Sequence, residues 1–193
     1  MTWFTERIVT VAGRLSRYRG VVGAPPGSEE VTVRVRSIAG AAVASVLAAD
    51  GGLHTFWAVS GSPWPAHDHR TLSAGLLDMQ VPFTPAALVP LAVLLFGGAA
   101  LVAARAGLLG AVGRRLPRWL PYLATLAVTG GTAVRVAAGF GWLVTADPAS
   151  TFFRLNLAVY TPLCLLLAAA GLVLLRREHR DPVPATPGWA PSR

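Results

Sequence analysis

The sequence predicts an all-α integral membrane protein, a four-helix bundle with both termini in the cytoplasm. Three observations carry that expectation. Four apolar stretches, about 37–59, 85–104, 119–144 and 152–175, are each long enough to cross a roughly 30 Å hydrocarbon core at about 1.5 Å per helical residue. Only 13% of the residues are charged and the mean hydropathy is +0.53, against about 25% charged in an ordinary soluble domain. The arginines collect on alternate connections, so one orientation satisfies the positive-inside bias at every span.

Residues 1–36 read as a basic cytoplasmic segment. Phe4, Ile8, Val11, Leu15 and Tyr18 recur at helical spacing with Arg7, Arg14, Arg17 and Arg19 between them. That pattern fits an amphipathic helix on an anionic membrane surface, or a leader without fixed structure. Ala24–Glu30 reads as a linker. Val31–Arg36 alternates apolar and polar residues, but six residues without a partner make no sheet.

The first span, Ser37–Val59, carries Asp50, His54 and Trp57 along one helical stripe, with Gly40, Ala44, Ala48 and Gly51 on the other side. Ser60–Thr84 is rich in Pro, Gly, Trp and His and reads as a loop. The second span opens at Pro85, and Pro90 one turn further in predicts a bend. Arg105–Arg118 reads as a short basic loop. The third span has Pro121 in its first turn and Arg135 within it, and Thr145–Thr151 is a tight connection. The fourth span contains Asn156, Tyr160 and Pro162. Residues 176–193 form a basic, proline-rich tail expected to be disordered.

The N-terminal segment, the second-to-third connection and the tail hold fourteen of the 17 basic residues. The other two connections hold only Arg70 and, at the mouth of the fourth span, Arg154. The net charge of +8 therefore marks topology, and nucleic acid is not an expected partner. The expected partner is the bilayer, and the expected location is the cell (plasma) membrane. The first residues lack the apolar core and cleavage site of a signal peptide, so the first span is expected to direct insertion. Cys164 stands alone, which excludes an internal disulfide.

The chain resembles an uncharacterised family of bacterial four-span membrane proteins, a domain of unknown function. The resemblance rests on Leu53-His54-Thr55-Phe56-Trp57-Ala58-Val59-Ser60-Gly61 with Trp64-Pro65, on Arg135 with Gly139, and on Phe152, Asn156 and Tyr160-Thr161-Pro162-Leu163-Cys164-Leu165. It covers about 37–175. Relative to the family pattern, Asn156 stands where an acidic residue is favoured, and Asp50 is not generally present. The resemblance implies a fold and a location but no activity.

The candidate site is a polar cluster of Asp50, His54, Trp57, Arg135, Asn156 and Tyr160. Counting helical rise from the outer span ends puts Asp50, His54, Arg135, Asn156 and Tyr160 about 6–13 Å deep, all in the outer half of the bilayer. Arg135 needs a partner there, because a mid-span charge costs at least about 2.5–3.5 kcal/mol. Asp50, at matching depth, is the expected one. Three readings follow. The cluster is a structural ion pair fixing helix register; or a pocket for a small amphipathic or anionic ligand; or an acid–base site using His54. The preferred function is a small-molecule-binding or accessory membrane protein. The alternatives are a membrane-embedded enzyme and a structural partner with no ligand. The sequence specifies no cofactor. His67 and His69 in the outer loop are a weak metal candidate, with no third ligand evident.

The orientation is directly testable. Cysteines introduced at Ser62 and Ala149 should react with impermeant thiol reagents added to intact cells, and one at Gly113 should not. Labelling at Gly113 would reverse the assignment.

Overall fold

The computed structural model describes residues 28–176, with side chains from Glu30 onward. The amphipathic pattern of 1–27 and the tail from 177 onward lie outside the described residues. The chain divides into two units, 1–35 and 36–193. Of the first unit, the described part is the opening of the first helix.

Among the described residues all regular structure is helical. The elements are α1 (Ser28–Ser60), α2 (His69–Leu77), α3 (Pro85–Arg105), α4 (Gly110–Arg114), α5 (Trp119–Thr145), α6 (Thr151–Leu155), a π-helical turn (Asn156–Tyr160) and α7 (Thr161–Leu175). Four helices are long and apolar enough to cross a membrane: Glu30–Ser60, Pro85–Arg105, Trp119–Thr145 and the continuous rod Thr151–Leu175. Below, outer and inner follow the orientation predicted from the arginines.

Three connections differ from expectation. The first helix begins at Ser28, so 28–36 is helical rather than linker and irregular chain. No Gly or Pro occurs between Ser28 and Gly40 to interrupt the helix. The outer connection contains α2. Asp68 caps it, with Oδ1 accepting from the Thr71 N–H at 2.7 Å. That hydrogen bond holds the Asp68 carboxyl below its usual range. The fully buried Ser73 ties the exit of α2 by accepting from the Val81 N–H at 2.8 Å and donating to the Met79 carbonyl. The inner connection carries α4, so it too is folded.

The most extensive packing is between the third and fourth spans. Gly139 on α5 meets Thr161, and Gly171 on α7 meets Thr129; an added Cβ at either glycine would overlap the facing hydroxyl. The two contacts are ten residues apart on each helix, the register of an antiparallel pair. Small residues let the backbones approach where lipid offers no hydrophobic driving force. The hydroxyls of Thr125, Thr129 and Thr132 donate to their own helix, at 2.7 Å to Pro121, 2.7 Å to Thr125 and 2.9 Å to Val128 carbonyls. They add polarity without an unsatisfied group.

Two apolar clusters complete the packing. Toward the inner end Val43, Val102, Leu167 and Leu174 meet, with Leu47 and Val128 against them. Toward the outer end Trp57, Leu72 and Leu88 pack with Phe83 and Leu76. Large apolar side chains such as Val93, Leu94, Val134 and Leu166 remain exposed, as a lipid-facing surface requires.

Gly139→Val and Gly171→Val should each destabilise the protein in detergent unfolding by about 1–3 kcal/mol or more, because a close backbone contact cannot absorb the added volume. Gly130 has no neighbour within 4 Å of an added Cβ, so Gly130→Ala should be neutral or slightly stabilising. Equal effects at the three sites would contradict the packing.

Candidate functional site

The fourth span is irregular where it matters. Pro162 has no N–H to donate and its ring crowds the carbonyl of Ala158. The preceding turn is widened to the π form, and the Thr161 N–H reaches the Asn156 carbonyl, five residues back. Single π turns inside α-helices recur at functional sites. The sequence shows the proline and predicts a bend; it does not show the wider turn.

That turn presents Asn156 to α5. The Asn156 side chain is fully buried and makes three hydrogen bonds. Its Nδ2 donates to the Gly139 carbonyl at 3.0 Å, and its Oδ1 accepts from Arg135 Nη1 at 3.0 Å and from the Thr161 hydroxyl at 3.2 Å. The Arg135 guanidinium lies 4.6 Å from the Trp142 ring centre and 5.6 Å from that of Tyr160. Trp142 is braced edge-on by Phe152, centroids 5.2 Å apart. A half-buried cation is thus held by one amide and two aromatic faces. No carboxylate stands within ion-pair distance of it among the described residues.

The expected Asp50–Arg135 ion pair is therefore absent. The Asp50 carboxylate instead lies 3.3 Å from His54 Nδ1, which sits 2.8 Å from the Asp50 backbone carbonyl. A carbonyl only accepts, so Nδ1 carries the proton and a neutral ring leaves Nε2 as its acceptor. The His54 side chain is 15% exposed and that of Asp50 49%. Helical rise gives depth but not azimuth. Gly51, the neighbour of Asp50, packs against Leu95 and Phe96 of α3, and the nearest polar partner of Asp50 is one turn along its own helix. Tyr160 offers its ring to Arg135 at 5.6 Å.

The match to known families follows the same stretch. Residues 47–171 match the family described as protein of unknown function (DUF3995). The chain belongs to that family. A search of curated proteins and a search of solved structures gave no match. All six candidate residues fall within the part shared with the family, which brings no activity with it.

Trp57 has a different role from the one its stripe suggests. It is 6% exposed, its Nε1 donates to the Trp64 carbonyl at 2.7 Å, and its ring packs edge-on against Phe83 at 5.5 Å. It locks α1 to the outer connection, and it touches His54 only by a ring edge at 5.3 Å. His67 and His69 are exposed beside the α2 cap, with His69 tilted against Phe83 at 6.0 Å. No group of three His, Cys, Asp or Glu side chains suited to a metal occurs among the described residues. Thr161 and Trp142 contact the cluster but are not among the six residues expected from the sequence. The position of Trp142 two turns beyond Arg135 on one helical face was the available signal.

These contacts make a double-mutant test specific. Arg135→Gln and Asn156→Ala should each lower stability in detergent unfolding, by roughly 1–3 kcal/mol, and should be strongly non-additive together. Arg135→Gln combined with Asp50→Asn should be additive. Coupling of Arg135 to Asp50 rather than to Asn156 would overturn the assignment.

Proposed function

We propose that this protein binds a small amphipathic anion entering from the outer leaflet of the plasma membrane, with Arg135 as the anchoring group. The supporting observation is the state of that arginine. Of the five N–H donors of a guanidinium, one is taken by a protein group among the described residues. That acceptor is a neutral amide, so the positive charge is not neutralised. Two aromatic faces offset part of the cost, about 0.5–2 kcal/mol each. An incoming carboxylate or similar anion meets the remaining donors in the paired geometry that guanidinium favours. The Tyr160 ring lies 5.6 Å from the same guanidinium, and apolar side chains facing lipid suit a hydrocarbon tail.

A second reading, a membrane-embedded enzyme, is favoured by the Asp50–His54 arrangement. Nδ1 held by Asp50 leaves Nε2 to take a proton, as a general base does. A structural role without ligand is the remaining alternative.

The test uses the full chain in neutral detergent with decanoate as probe, and decanol and decyltrimethylammonium as matched controls. Decanoate should raise the melting temperature of the wild type, and the neutral and cationic chains should not. Arg135→Gln should abolish the effect, and Arg135→Lys, which keeps the charge and loses the fork, should weaken binding about tenfold. Equal stabilisation by all three amphiphiles would overturn the proposal. His54→Gln binding that matches the wild type on both sides of the ordinary imidazole pKa of about 6.5 would remove His54 from the binding step.

A further inference from the structure

A second basic feature, independent of the Arg135 site, stands at the inner end. After Arg105 the chain reverses through Gly107 and Gly110, whose φ values of +80° and +52° are rarely open to other residues. The short helix α4 then folds back along the end of α3. The approach is close: a Cβ added at Gly113 would lie 3.4 Å from the Ala104 Cα. The reversal leaves a cleft of about 550 Å³ whose wall includes Arg105, Arg114, Arg118, Leu116 and Pro121. Arg105 also lies over the Tyr122 ring at 5.9 Å. No Asp or Glu occurs anywhere between Arg105 and Arg118.

We propose that this cleft binds a phosphate group, carried by the headgroup of an anionic phospholipid or by a soluble phosphate compound. The volume lies within the roughly 300–1,000 Å³ of small-ligand sites. Arginine forks match phosphate oxygens in paired geometry, and basic recesses between spans on the cytoplasmic side suit lipid headgroups. The positive-inside rule explains how many arginines the connection holds, but it is indifferent to where they point. Arg115 counts equally for topology and is not part of the cleft wall. The convergence of Arg105, Arg114 and Arg118 on one cleft is the feature that topology leaves unexplained.

That distinction supplies the experiment. The full chain in neutral detergent is titrated with dioctanoyl-phosphatidylglycerol, with inorganic phosphate, and with the lipid in the presence of phosphate. The cleft pair Arg114→Gln/Arg118→Gln is compared with the charge-matched pair Arg115→Gln/Arg176→Gln. Leu116→Trp fills the cleft without touching an arginine, so it tests the site even if the charge variants fold or insert poorly. The cleft pair and Leu116→Trp should each weaken lipid binding about tenfold or more, with the matched pair little changed. Displacement of the lipid by inorganic phosphate would assign the source to a soluble phosphate; retention against it would assign a lipid headgroup. Equal losses in the two charge pairs with none in Leu116→Trp would overturn the proposal. No lipid or phosphate binding by the wild type would overturn it as well.

Discussion

A guanidinium inside a bilayer has to be held, and the way Arg135 is held organises the third and fourth spans. Asn156 accepts from Arg135, takes the Thr161 hydroxyl on the same oxygen and donates to the Gly139 carbonyl. Those bonds need α5 and α7 almost in backbone contact, which the bare Gly139 permits. They also need Asn156 turned toward α5, which the π turn before Pro162 provides. Proline, glycine and asparagine thus serve one contact. In hydrocarbon, where water cannot satisfy a stray donor, such a contact is costly to disturb.

The same economy governs the rest of the bundle. Threonine hydroxyls on α5 donate to carbonyls four residues back in the same helix, so the helix keeps polar side chains without exposing unsatisfied ones. At the outer end α2 and Trp57 close the bundle, tied by the Asp68 cap and by the indole N–H on Trp64. At the inner end two left-handed glycines fold the connection between the second and third spans back on itself. The bundle is therefore structured at both ends as well as through its apolar middle.

Seen together, the polar groups fall into two sets with different chemistry. Asp50 and His54 satisfy each other on one helix. Arg135 is bound to a neutral amide and two rings and keeps its charge. The second set carries the proposed anion site, and the first carries the alternative acid–base reading. Tyr160 belongs with the second set, through its ring contact with Arg135.

The sequence by itself determined what depends on local composition and counting. Apolar stretches long enough to cross a bilayer showed the four helices, and the residue types and helical rise picked out Arg135, Asn156, Tyr160, Asp50 and His54 as a set at one depth. It could not determine partners across helices. Depth follows from rise along one helix, whereas pairing depends on the azimuth of each helix, which is settled by side-chain packing between distant segments. That is why Asp50 went to His54 and Arg135 to Asn156, and why Trp57 became a clamp on the outer connection. The π turn, the α2 cap and the cleft behind Gly107 and Gly110 are likewise tertiary outcomes. Each depends on a backbone conformation stable only against a neighbour, and no periodicity in the chain encodes that neighbour.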